Sequence, residues 1–372
     1  MSEPILLRAA PGSSADLFHA VPLDILDPFL YAEVDDRRFA VNSVLERGRI
    51  EALGLGIEVL DPFELGMDEL LNAGVGFLEA EIEAELRACR QIGLEHAIVP
   101  SDFPLAWADR LREAGMELRV DADTFDLRRR VKTGLQLAGI RRAQVAADAA
   151  MAAAAGLLRD VPAGLTCEAV REEMQRVCVE HDAELPETAI VARGEQSAVG
   201  HEEGSGPIGR GETVLIDIWP RDKASRCWAD MTRTFVAGGE APPAELQEYW
   251  ELTLASLDAV KAAIRPGAVC RDLHGLSCEP FEAAGKPTVR TKEQGTALAE
   301  GYYHGLGHGV GLEVHERPNL GRSDEKLIAG DVVTVEPGCY RQGFGGVRLE
   351  DLLLVTEDGC EVLTDFPYDL SP

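Results

Sequence analysis

Apolar and polar positions in the first third of the chain switch repeatedly between two periods. In PFLYAEVDDRRFAV (residues 28–41) two strand-like runs flank the turn-forming Asp35 and Asp36, which predicts a hairpin. Helical stretches follow in ERGRIEALG, EAEIEAELRACRQIG and WADRLREAG, interleaved with the short strand-like runs HAIVP and MELRV. This alternation predicts a small α/β domain that ends near Val120.

A charged stretch, DLRRRVKTG (residues 126–134), then leads into LQLAGIRRAQVAADAAMAAAAGLLRD. Leu, Ile and Val recur in that Ala-rich run at helical spacing without an internal Pro, so a long packed helix is expected after a domain boundary. From about residue 185 the pattern turns β-rich in TAIVARG, ETVLIDIWP, RTFVAGG, VVTVEPGCY and EDLLLVTEDG, each bounded by Gly or Pro. Helices interrupt these strands over residues 243–264 and 270–285. The expected organisation is an N-terminal α/β domain over residues 1–125 and a mixed α+β domain over 126–372, in keeping with a length of 372 residues that exceeds one ordinary core.

Composition changes this picture mainly by exclusion. With 45% hydrophobic and 27% charged residues the chain has a soluble, globular balance. A formal net charge of -29 argues against a broad nucleic-acid surface, because phosphate binding draws on clustered Lys and Arg. The 8 cysteines form neither a CxxC pair nor a dense disulfide spacing, so reduced structural thiols are expected. No signal-peptide pattern and no membrane-spanning run is seen, which gives a cytoplasmic expectation by elimination.

The chemistry starts from misplaced acids. Asp217 lies inside the apolar run TVLIDIW, and Glu336 in VVTVEPG and Glu350 in RLEDLLLV also abut strand cores. An isolated ionised carboxylate there is heavily penalised by desolvation, so each needs a salt bridge, a hydrogen-bonded turn or a cation. Several such acids, with Asp230 in ADMTRTF, form a donor set suited to a hard divalent metal. YYHGLGHGVGLEVHERP (residues 302–318) adds His304, His308 and His315 in a glycine-punctuated segment that permits close backbone approach.

These segments, in the order LIDIW, ADMTRTF, GLGHGVGLEVHE, VEPG and VRLED, resemble the pita-bread metallopeptidase family, which includes methionine aminopeptidases, Xaa-Pro aminopeptidases and prolidases. The first third resembles the N-terminal domain of the creatinase and prolidase group. The resemblance implies two divalent metals held by Asp217, Asp230, His308, Glu336 and Glu350, with Asp217 on one metal, Asp230 and Glu350 bridging, and His308 and Glu336 completing the second. A metal-bridging hydroxide is then the expected nucleophile and Glu336 the proton shuttle. The resemblance also implies a substrate site lined by His201, His304 and His315, with His315 donating to the oxyanion and His201 holding the residue after the scissile bond. Arg348 is expected to orient a carboxylate ligand, with a structural salt bridge as the other reading. The oxygen-rich set favours Mn²⁺, with Co²⁺ or Zn²⁺ able to substitute. A homodimer is what the family implies.

The extra N-terminal domain favours the proline-directed branch, so the expected substrate is a short peptide cut before proline, a bond without an N–H. Two departures bear on specificity. The chain reads Asp217-Ile218-Trp219-Pro220 where many members have a glycine soon after the aspartate. It carries Asn319, with Arg317 the nearest arginine, where strict prolidases often have an arginine four positions after the His315 equivalent. These favour an Xaa-Pro aminopeptidase over an Xaa-Pro dipeptidase. Other readings are a metal-dependent aminopeptidase or carboxypeptidase of different specificity, a creatinase-type amidinohydrolase, which the full ligand set disfavours, and a non-catalytic interaction protein on the same fold. His19, His96, His181 and His274 match no motif.

Overall fold

The computed structural model describes residues 3–372. The chain forms two compact units, one reaching to Arg129 and the other Arg130–Pro372. The first is built on a six-stranded mixed sheet, ordered β4-β3-β2-β1-β5-β6. Its strands are β1 (Ile5–Ala9), β2 (Phe29–Val34), β3 (Arg37–Val41), β4 (Ile57–Leu60), β5 (His96–Val99) and β6 (Glu117–Val120). The predicted hairpin is β2–β3: Val34 pairs with Arg37, and Asp35 and Asp36 take left-handed φ values of 50° and 63°, the conformation a two-residue turn needs to match strand twist. Residues alternate across the sheet, with Leu6 and Leu30 buried on one face and Ile5, Leu7 and Tyr31 on the other.

The charged stretch from residue 126 begins as helix, because Ala122–Arg130 is helical. Arg128 pairs with Glu33 at 2.6 Å and Arg129 with Asp16 at 2.7 Å, so the first unit extends to Arg129 rather than to residue 125.

The second unit opens with the helix Gly134–Asp160, capped by Thr133 and Gln136 in a reciprocal box. Its alanines at 143, 146, 147, 150 and 154 are fully buried. Small side chains on that face let the helix Cys167–Glu180 and the following strands approach closely. The helices Ala244–Ala263 and Cys270–Ala283 pack together, with the Ser256 hydroxyl donating to the Ser277 carbonyl at 2.7 Å.

The strands of this unit are β7 (Ala183–Glu184), β8 (Ile190–Arg193), β9 (Thr213–Ile218), β10 (Arg221–Asp222), β11 (Met231–Val236), β12 (Glu300–Gly301), β13 (His308–Gly309), β14 (Glu316–Asn319), β15 (Val332–Val335), β16 (Gly338–Arg341), β17 (Gly345–Arg348), β18 (Asp351–Val355) and β19 (Cys360–Val362). They form sheets ordered β11-β9-β8, β12-β16-β17 and β14-β13-β15-β18-β19, with β7 and β10 as a separate ribbon. VVTVEPGCY, one β-rich run in sequence, is two strands in two sheets, broken at Glu336 and Pro337. An isolated bridge between Thr232 and Glu350 joins β11 to the start of β18, with the Glu350 N–H donating to the Thr232 carbonyl at 3.1 Å. Among the described residues no helix is long and apolar enough to cross a membrane.

Candidate metal centre

The strand ends bring the sequence-selected acids together. Asp217 lies on β9, paired with Thr232 of β11, and Asp230 immediately precedes β11. Glu336 follows β15 and Glu350 precedes β18, which pair antiparallel with Val335 opposite Asp351. His308 enters on β13, where its N–H donates to the Thr334 hydroxyl at 3.1 Å and Gly309 pairs with Val333. Gly307 permits that approach, since a Cβ there would lie 2.2 Å from the Thr334 carbonyl oxygen.

Asp230, His308 and Glu350 each offer a ligand atom within 4.8 Å of the others. His308 Nε2 is 3.7 Å from Asp230 Oδ2 and 3.7 Å from Glu336 Oε1. His308 Nδ1 lies 3.1 Å from the Gly309 carbonyl, which can only accept, so Nδ1 carries the proton. Burial, and then His315, push the ring down to about 4, so it is neutral at physiological pH and its Nε2 lone pair faces the carboxylates. At 3.7 Å that lone pair is beyond hydrogen-bond distance of both carboxyls, and a cation is the group this donor set fits.

The carboxyls show the same deficit. Burial, followed by Glu350, Asp217 and Glu336, holds the Asp230 carboxyl well above the usual range. Glu350 is raised by burial, then by Glu336 and Asp217. Glu336 is pushed up to about 7 by burial, against the pull of Arg348. Asp230 is 5% and Glu350 2% exposed, so water does not screen the crowding.

Arg348, at the end of β17, reaches into the cluster. Its Nη2 donates to Asp217 Oδ2, its Nε to the Thr232 hydroxyl at 3.2 Å and its Nη1 to the Tyr340 hydroxyl at 3.2 Å. The Thr232 hydroxyl donates to Glu350 Oε2 at 2.7 Å. His304 Nδ1 donates to the Gly305 carbonyl at 2.8 Å, so its Nε2 accepts from the Tyr340 hydroxyl at 2.9 Å. Burial, reinforced by Arg348, pushes His304 down to about 3. His315 stacks edge-on against His308 with ring centroids 4.2 Å apart, and His201 is exposed but near enough to bear on both His304 and His315. All nine residues singled out by the sequence therefore lie in one region of this unit.

Sequence reading missed Thr232 and Tyr340, which tie Arg348 to Glu350 and His304. No local signal marks Thr232. For Tyr340 the signal is glycine: a Cβ on Gly338 would collide with the Tyr340 hydroxyl, and one on Gly346 with its ring. Glycine inside a strand marks such close approach.

Comparison with known proteins agrees with this geometry. The chain is 33% identical over 255 residues to an Xaa-Pro dipeptidase of Pyrococcus furiosus, covering 68% of each chain. It superposes on the structure of an Xaa-Pro dipeptidase from Bacillus anthracis with a TM-score of 0.81 at 24% identity, over 99% of this chain and 94% of the other. An X-Pro aminopeptidase from Thermotoga maritima MSB8 gives a TM-score of 0.78 at 20% identity, over 98% and 96% of the two chains. These structural likenesses speak for the fold, and the expected pita-bread architecture is the one observed. The model of metallopeptidase family M24 matches residues 138–357, a span that holds every one of the clustered acids and histidines, and the chain belongs to that family.

Proposed function

We propose that the protein is a metal-dependent exopeptidase that cleaves the bond before proline in short peptides. The observation that carries this reading is the convergence of Asp230, His308 and Glu350 with an inward-facing imidazole lone pair. Asp217, Asp230, His308, Glu336 and Glu350 would hold two divalent ions. When bound, such ions polarise the scissile carbonyl and acidify water. Manganese is the favoured ion, because four carboxylates and one imidazole make an oxygen-rich shell.

The chain's own groups supply the rest. Glu336 takes the proton of the attacking water and returns it to the prolyl nitrogen as the C–N bond breaks. His315 donates to the oxygen that gains charge in the tetrahedral intermediate, and His201 and His304 flank the substrate. The Tyr340 and Arg348 hydrogen bonds hold His304 in one tautomer, and Arg348 orients Asp217.

The name of the Pyrococcus furiosus relative supports a dipeptidase. Asn319, paired with His308 across β13 and β14, is neutral and supports longer peptides, since it offers no cation for a dipeptide's terminal carboxylate. Turnover of Xaa-Pro and Xaa-Pro-Yaa peptides under Mn²⁺, Co²⁺ and Zn²⁺ tests both. Metal-replete protein that leaves both peptides intact ends the proposal. A cytoplasmic homodimer completes it, supported on the first point by eight free cysteines, seven of them buried.

A further inference from the structure

The hairpin that carries His308 and His315 is held from behind by a buried ion pair. His308 pairs with Asn319 and Gly309 with Glu316, so the residues between form a loop whose last member, His315, faces back toward His308. Glu316 turns its side chain into that loop. Its Oε1 accepts from the Leu312 N–H at 3.0 Å and the Glu313 N–H at 3.1 Å, and its Oε2 accepts from Lys132 Nζ. The side chains of Lys132 and Glu316 are only 3% and 4% exposed. A Cβ on Gly311 would sit 2.6 Å from Lys132 Nζ, so the loop closes directly over the pair. From the other side the Trp228 indole N–H donates to the Leu312 carbonyl at 3.0 Å and the Trp228 backbone N–H to the Gly311 carbonyl at 2.9 Å.

We propose that Glu316, anchored by Lys132, is the positioning residue for His315. Its two oxygens have separate tasks: one gathers two loop amides, and the other fixes the carboxylate to a cation outside the hairpin. Without Lys132 the buried carboxylate loses the ammonium that holds its Oε2, and the loop shifts to let in water. His315, next in the chain to Glu316, then leaves the direction in which it donates. Neither side chain belongs to the group proposed to hold metal or substrate, so the effect is expected on turnover. The inference rests on the reading of His315 as a substrate-facing donor.

The test uses the full-length chain with Xaa-Pro and Xaa-Pro-Yaa peptides. Lys132→Met is expected to lower kcat by about 10- to 100-fold with KM and metal content unchanged, the scale of a misplaced catalytic group. Lys132→Arg, which keeps the charge, restores most of it. In metal-free protein, amide exchange at Leu312 and Glu313 quickens in Lys132→Met. On a His315→Gln background Lys132→Met adds less than about twofold, because two changes acting through one group do not add. A full further loss on that background, or unchanged amide exchange, overturns the proposal. If His315→Gln is impaired and Lys132→Met is not, this inference alone fails. Wild-type turnover in His315→Gln defeats the reading of His315 and the inference with it. Should Lys132→Met not fold, Glu316→Gln carries the same comparison.

Discussion

Glu350 turns its carboxylate toward Asp230 and Glu336, whereas Asp351, the next residue, turns to the opposite face and meets Arg233 at 3.0 Å, Lys261 at 3.1 Å and the Tyr368 hydroxyl at 2.6 Å. Both side chains are buried. On the Asp351 face the protein supplies its own cations, and the acid is a structural anchor. On the Glu350 face four acids share one guanidinium, that of Arg348, and the shortfall in positive charge is what a bound metal makes good. Strand alternation places the two faces one residue apart, so a buried acid is informative only with its partners.

The largest effect expected from breaking this contrast lies at Asp230. Asp230→Asn should cut turnover by more than about ten-thousandfold, over about 5 kcal/mol of barrier. The fold should survive, since the change removes one of several like charges and no volume. Thermal melts sharpen the point: added Mn²⁺ should raise the wild-type midpoint by ligand linkage and leave the variant's where it was. A metal-free variant that melts well below wild type would erase the distinction between the faces.

Asp351→Asn should do the reverse. It takes the buried carboxylate from Arg233, leaves Lys261 the exposed Asp258 at 3.4 Å, and is expected to destabilise by about 3–5 kcal/mol, the cost of breaking a buried pair. Urea titration measures that loss, while turnover per folded molecule should remain near wild type.

Glu85 in the first unit gives an intermediate case and the smallest effect. It has one guanidinium, that of Arg8 at 3.4 Å, and a hydrogen bond from the Trp107 indole. Burial outweighs both and pushes its carboxyl up to about 7 from an ordinary 4.5. The folded unit therefore keeps a proton that the unfolded chain has already shed. That contribution is complete below about pH 4.5 and disappears as pH rises through 7, about 3 kcal/mol in all. Hydrogen exchange in the helix Phe77–Gln91 should register the decline, and Glu85→Gln should flatten it. A profile that climbs across the same window would mean that Arg8 keeps the carboxylate ionised.

What was legible in the sequence was local. Hydrophobic period and the Asp35-Asp36 turn determine helices and a hairpin within a few residues of one another, because those energies act over short stretches of chain. Acids in apolar strands also announced themselves, since a lone buried carboxylate is costly wherever it lies. Which partners anchor one acid and leave the next short of positive charge was decided only in three dimensions. Arg233 and Asp351 stand 118 residues apart, Thr232 and Glu350 the same, and Lys132 and Glu316 are 184 apart. Electrostatic partnership depends on distance through space, and one residue separates Glu350 from the first residue of β18, so hydrophobic period alone does not tell the two acids apart; the VRLED resemblance points to Glu350, and the packed sheets supply the partners that make the difference.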